Sequence, residues 1–303
     1  MTVGVVLMAY GTPADIDAVE PYYTHIRHGR PPEPAQLADL IARYEAIGGI
    51  SPLAERTEAQ RTAIARRLDE ISPGRFSVAV GTKHAVPFIE DTVAALAARG
   101  AQEIVGLVLA PHFSRATIGE YHDRAGRACE ESGVSTYHRI DSWNLEPAYV
   151  DFLAGAVAAS LAGMPERTKV LFTAHSLPER VLVGDPYVDE LHATASAVAD
   201  RLGLAEGDDW SLGWQSAGRT PDPWRGPDVT EVIDEIAASG AHDGVVVCPQ
   251  GFVADHLEVL YDLDIEARAR ATDTGIAFGR TRSLNDDSTV MAALADRVVE
   301  VAG

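Results

Sequence analysis

His175 closes an apolar run, Lys169–Ala174, and is followed by Ser-Leu-Pro. An imidazole in that position is either a strand-end histidine bonded to backbone or a base and metal ligand, since its charge changes near neutral pH. A second cluster lies far along the chain, in Phe252-Val-Ala-Asp-His-Leu-Glu-Val-Leu-Tyr-Asp-Leu-Asp-Ile-Glu266. On a helix, Glu258, Asp262 and Glu266 recur at four-residue spacing and share one face. Like charges so placed repel by about 0.2–0.5 kcal/mol per pair. One reading is a solvated acidic face. The other is a path that delivers a divalent cation to an imidazole, because carboxylate and imidazole together suit ferrous iron.

The N-terminal part carries the opposite sign. Thr24-His-Ile-Arg-His-Gly-Arg30 packs two Arg and two His together, and Arg43-Tyr44 follows. With only two lysines in the chain, arginine is the default cation, so a plain surface patch is one explanation. Arginine also grips carboxylates bidentately, and Tyr22, Tyr23 and Tyr44 offer flat partners. An aromatic polycarboxylate ligand would account for both features. Other signatures are missing. No Gly-x-Gly-x-x-Gly or Gly-x-x-x-x-Gly-Lys-Ser/Thr occurs, which argues against dinucleotide and P-loop sites. Ser216 in Gly213-Trp-Gln-Ser-Ala-Gly218 has one residue too many before it for a nucleophile elbow.

The elements that must position these groups are strands alternating with helices. Val3–Ala9, Phe76–Val80, Ile104–Ala110, Lys169–Ala174 and Val245–Cys248 read as strands buried on both faces, whereas Phe88–Arg99, Val229–Ser239 and Val290–Val301 have helical spacing. This pattern predicts an α/β protein with parallel sheets flanked by helices. A weak repeat runs through it. Pro87–Gly100 aligns with Pro227–Gly240 at an offset of 140 residues. Met8-Ala-Tyr-Gly-Thr-Pro13 likewise echoes Thr173-Ala-His-Ser-Leu-Pro178. Two similar Rossmann-like domains follow, residues 1–150 and 151–287, with the helix at 288–303 packing back on the first. Ligands of such folds bind beyond the carboxyl ends of the strands, which points to Tyr10, His112, His175 and the segment after Cys248.

Composition bounds the partners. The 303 residues are 46% apolar and carry a net charge of −20, so general binding of nucleic acid or anionic lipid is not expected. No run approaches the roughly 18 apolar residues that span a bilayer, and no basic region precedes the first strand. Two cysteines, Cys129 and Cys248, are too few for a disulfide framework. A cytoplasmic protein is expected, and a monomer.

Six segments carry a resemblance to a known family: Met8–Pro13, Tyr22–Arg27, Arg43–Leu53, Thr173–Pro178, Thr220–Trp224 and Gly251–Asp262. In this order they resemble ferrochelatases, and more narrowly the coproporphyrin ferrochelatases of Gram-positive bacteria. The resemblance implies a chelatase-like fold and insertion of ferrous iron into coproporphyrin III. It implies that His175 binds metal and accepts pyrrole protons, that Glu258 faces it, and that Tyr10 binds iron from the opposite face of the macrocycle. It further implies that Arg27, Arg43, Tyr44, Ser51 and Tyr121 contact the porphyrin, with Asp262 and Glu266 as outer carboxylates of a second cation site. His28 stands where relatives often have a second arginine. Some members hold an iron–sulfur cluster on four cysteines; two cannot supply that ligation, so no permanently bound cofactor is expected. A protoporphyrin IX ferrochelatase and a non-catalytic haem or porphyrin carrier remain as alternatives. A carrier would need the ring-binding residues but not the His175–Glu258 pair.

Overall fold

The computed structural model describes residues 2–218 and 220–303. Its strands are β1 (Val3–Ala9), β2 (Phe76–Thr82), β3 (Glu103–Val108), β4 (Thr136–Ile140), β5 (Thr168–His175), β6 (Trp210–Gln215), β7 (Gly244–Cys248) and β8 (Ala277–Arg280). They form two parallel sheets, ordered β2-β1-β3-β4 and β6-β5-β7-β8. The order is the same in both, so the sequence repeat corresponds to a repeat of topology. β1 is equivalent to β5, which makes Tyr10 and His175 residues of equivalent central strands.

The helices of the first half are α1 (Val19–Ile26), α2 (Pro34–Ala46), α3 (Leu53–Ile71), α4 (Ile89–Ala98), α5 (Glu120–Glu131) and α6 (Pro147–Leu161). Those of the second are α7 (Glu179–Leu182), α8 (Tyr187–Leu202), α9 (Val229–Ser239), α10 (Arg268–Thr274) and α11 (Ser288–Ala302). α9 has the cleanest local code. Asp228 and Glu231 form a capping box, and Gly240 closes the helix in the left-handed region at φ 63°.

Alternation along the central strands feeds separate cores. Val5 and Leu7 pack into one apolar cluster, while Val6 and Met8 pack into another beneath α4 and α5. The first cluster also takes in Val170 and Phe172 of β5, residues of α3, α6, α8 and α11, and Trp143. It is therefore common to both sheets. α6 is apolar on nearly every side, burying Tyr149, Val150, Phe152, Leu153, Ala154, Ala156 and Val157, as a helix wedged between two layers must be. α11 returns to the first sheet's side, where its Asp296 takes Nε and Nη2 of Arg67 on α3 at 3.0 and 3.3 Å.

Three strands escaped the sequence reading: β4, β6 and β8. All are edge strands of mixed polarity; β4 and β8 are largely half covered, while β6 buries Trp210, Trp214 and Gln215. In β4, His138 reaches Glu103 on the neighbouring strand at 2.6 Å instead of entering a core.

One close approach fixes the distance between the two sequence clusters that carry the chemistry. The loop after β7 presses against β5 at Gly251, where a Cβ would fall 2.5 Å from Ala174 Cβ and 2.8 Å from Ala174 Cα. Ala174 precedes His175, and Gly251 opens the segment that carries Glu258. Gly251→Ala is expected to lower stability by about 1–3 kcal/mol, the cost of overpacking, as read by urea unfolding. A neutral result would mean that the loop is free to move away.

Candidate active site

His175 ends β5 and Glu258 precedes a π-helical segment, Val259–Ala267. Their side chains meet with Nε2 3.7 Å from Oε1. Both remain about one-third exposed, at 35% and 37% of side-chain surface, so the pair is open to solvent. His175 Nδ1 lies 2.5 Å from the Ser176 carbonyl, which can only accept. The ring hydrogen therefore sits on Nδ1, and in the neutral ring Nε2 presents its lone pair beside Glu258. The backbone beneath is braced, since Tyr187 donates its hydroxyl to the His175 carbonyl at 3.2 Å. Thr173 donates to Gln215 Oε1 at 2.9 Å, and Gln215 Nε2 donates to the Glu258 carbonyl at 3.2 Å.

His256 was not anticipated. Its Nδ1 donates to the Ala254 carbonyl at 2.9 Å and its Nε2 stands 3.6 Å from Glu258 Oε2, an ion-pair separation too long for a hydrogen bond. Glu258 is thus flanked by an imidazole on each oxygen. Burial alone would raise its carboxyl, but His175, His256 and Arg43 outweigh it and hold the group below its ordinary value. Burial would correspondingly lower His256, and the Glu258 charge raises it instead. The arrangement is an ionised carboxylate between two proton acceptors.

The π-helical register replaces the α-helix expected over this stretch. It still turns the acidic residues toward one partner, Arg43 of α2, which approaches Asp262 Oδ1 at 3.4 Å and Glu266 Oε1 at 3.9 Å. The same guanidinium takes Asp39 at 3.2 Å and lies 4.6 Å above the Tyr261 ring. Asp262 is buried and also accepts from Ser216 Oγ at 2.5 Å. Burial pushes its carboxyl up from 3.8 to about 7, Glu258 and Glu266 adding to the effect while Ser216 and Arg43 oppose it. The folded state holds this proton more tightly than the unfolded chain. The associated stability is fully present below about 3.8 and is lost as pH rises through about 7, a span of at most about 4 kcal/mol. Asp262→Asn should therefore gain on the wild type between about pH 4 and pH 8 in urea titrations. A difference that stays flat over that range would contradict burial as the cause.

Tyr10 follows β1 and is 43% exposed. Lost solvation at its hydroxyl, then the charges of Glu258 and Glu120, raise its phenol above the ordinary value. Tyr44 belongs to the same field, with its phenol pushed up to about 12 by burial and, to a lesser extent, by Glu258. Tyr121, on α5, feels Tyr10.

The residues matched to ring contacts divide into two groups. Arg27 caps α1, its guanidinium 5.6 Å from the Tyr23 ring centroid and its Nε on the Arg30 carbonyl at 3.3 Å. Among the described residues no carboxylate pairs with it. Arg43, by contrast, already faces three. Tyr44, Ser51 and Tyr121 are buried, and Ser51 accepts from the Leu53 amide at 3.3 Å at the start of α3. Tyr10, His175 and Glu258, by contrast, keep about one-third or more of their surface exposed.

Comparison with known proteins bears on the fold and the family. In structure, the chain is similar to the sirohydrochlorin chelatase SirB from Bacillus subtilis subspecies spizizenii, solved with cobalt, at a TM-score of 0.63 and 12% identity, covering 100% of this chain and 96% of that one. It is also similar to CbiX, the terminal enzyme of sirohaem biosynthesis in denitrifying bacteria, at 0.56 and 15% identity over 99% of both chains. At such identity the likeness concerns the fold. Sequence goes further. The coproporphyrin III ferrochelatase of Geobacillus kaustophilus is 44% identical over 305 residues, covering 99% of this chain and 96% of that protein. That of Bacillus subtilis strain 168 is 44% identical over 306 residues, covering 99% and 98%. The family model described as ferrochelatase matches residues 2–302, so the chain belongs to the ferrochelatase family.

Proposed function

We propose that this protein inserts ferrous iron into coproporphyrin III, giving the iron coproporphyrin used for haem. The observation that carries the reading is the approach of His175 Nε2 to Glu258 Oε1 at 3.7 Å, with both side chains about one-third exposed, at the end of a strand whose counterpart β1 leads into Tyr10. Metallation removes two pyrrole protons and needs a desolvated metal presented perpendicular to the ring. His175 Nε2 takes the two pyrrole protons one at a time, returning the first to solvent from its exposed edge before it accepts the second, and Glu258 stabilises the imidazolium that forms each time. A flat porphyrin hides its nitrogen lone pairs, so the cleft holds it bent, a strain of about 1–5 kcal/mol drawn from remote binding energy. Tyr10 faces the metal from the other side. Asp262 and Glu266, joined by Arg43, form an outer acidic site whose cation would compete with that arginine.

Coproporphyrin carries four propionates and protoporphyrin IX two. In a protein of charge −20 each added carboxylate is repelled at long range, so local cations must recover the loss, and Arg27, which pairs with no carboxylate among the described residues, is the candidate for it. The names of the relatives support the same substrate. Competition between the two porphyrins in one anaerobic assay tests it. Preference for coproporphyrin in kcat/KM is expected, and preference for protoporphyrin IX would transfer the reading to that substrate. No helix is long and apolar enough to cross a membrane among the described residues. We place the reaction in the cytoplasm, on a monomer without a resident cofactor; Cys129 and Cys248 are buried in different clusters. Acid-labile sulfide in anaerobically purified protein would contradict the last point.

A further inference from the structure

Behind Tyr10 stands a stack of rings that the chemistry above does not use. The loops after β1 and β2 run on together past the strand ends, with the Lys83 amide on the Ala9 carbonyl at 2.9 Å and the His84 amide on the Tyr10 carbonyl at 3.0 Å. This places the His84 ring 4.6 Å from the Tyr10 ring, tilted by 55°. His84 itself is only 9% exposed. Its Nδ1 lies 3.0 Å from Nδ1 of His25 on α1, and His25 stacks on Phe88 at 5.2 Å and 24°. Two like nitrogens at that distance share one hydrogen, since two N–H groups would collide and two lone pairs would repel. The contact therefore fixes the tautomer and the pitch of both rings. The backbone leaves no slack either. Gly11 adopts φ +91°, a Cβ there would meet Ala85 Cβ at 2.9 Å, and Tyr22 donates its hydroxyl to the Gly11 carbonyl at 3.0 Å.

The geometry points to His84 as a positioning residue for Tyr10: locked by His25, it sets the angle at which the phenol oxygen reaches iron in the product complex. Phe88, His25 and His84 form the buttress, and Tyr10 is the member that faces the cleft. The inference rests on the reading that Tyr10 binds product iron, and the experiment separates the two. Ferric coproporphyrin III is bound to the wild type and to Tyr10→Phe, His84→Ala, His84→Phe and His25→Phe. The tyrosinate-to-iron charge-transfer signal is read by absorption and resonance Raman, and free-base coproporphyrin binding by fluorescence quenching.

Tyr10→Phe should abolish the signal. His84→Ala should reduce the tyrosinate-bound fraction roughly 2- to 10-fold, the scale of one lost ring–ring contact, with free-base affinity retained. His84→Phe, which restores a ring, should recover much of it, and His25→Phe should broaden the signal by unlocking the pitch. A Tyr10→Phe spectrum like the wild type would overturn the ligation reading and the inference with it. If Tyr10→Phe loses the signal while His84→Ala and His25→Phe keep it, only the positioning role falls. An equal loss of free-base binding in His84→Ala would make His84 structural and overturn the inference. Should His84→Ala not fold, His25→Phe, altered at an exposed side chain, decides by the same signal.

Discussion

His175→Ala is expected to lower metallation by at least about 10²–10⁴-fold, the contribution of a positioned general base, and to leave porphyrin binding largely intact. The reason is geometric. His175 presents one nitrogen to the cleft, its other nitrogen is fixed on the Ser176 carbonyl, and no neighbouring group replaces that lone pair at the end of β5. His256 is the nearest imidazole to Glu258 on the far oxygen, but it is more enclosed, with 16% of its side-chain surface exposed against 35% for His175. Stopped-flow absorption under anaerobic conditions measures the effect. Turnover near the wild-type value in the variant would remove His175 from the chemistry and pass the role to His256.

Arg27→Ala should raise the apparent KM for coproporphyrin roughly 10- to 150-fold, equivalent to a charge-assisted bond of about 1.5–3 kcal/mol. Arg27 is the stronger test of the propionate argument because no carboxylate among the described residues pairs with it, whereas removing Arg43 would also break its ion pairs with Asp262 and Glu266. The effect should shrink for an esterified porphyrin, which has no charges to grip. Equal weakening of both porphyrins would make Arg27 a structural cap of α1 and leave the substrate preference without its electrostatic basis.

What could be read from the chain follows from how each feature is stabilised. The central strands β1, β3, β5 and β7 are covered on both faces, so unbroken apolar runs announced them. The equivalence of Tyr10 and His175 was legible because a repeated unit places its strand ends at repeated positions. Of the edge strands, β2 kept an apolar run and was legible, whereas β4, β6 and β8 were not; β4 pairs His138 with Glu103 and keeps little apolar pattern. Nor was the π-helical register of Val259–Ala267, which preserves the helical look of the sequence while shifting each hydrogen bond by one residue. Within the site, His175, Glu258 and Tyr10 could be named from motif and position. His256 lay in plain view two residues before Glu258, but only the turn at Ala254 brings its ring to the carboxylate. His84 and His25 are far apart in sequence and meet only through the fold. Arg43 illustrates the converse. Its type and motif pointed to a propionate, while the fold sets it among Asp39, Asp262 and Glu266.

The central claim is that this cleft takes two protons from a bound porphyrin and puts ferrous iron in their place. Anaerobic incubation of the wild-type protein with ferrous iron and coproporphyrin III, followed continuously by absorption, tests it most directly. The free-base spectrum should give way to that of the iron porphyrin at a rate well above the protein-free control, with two protons released per iron inserted. A porphyrin that binds and quenches, yet gains iron no faster than in the control, would make the protein a carrier and contradict the account.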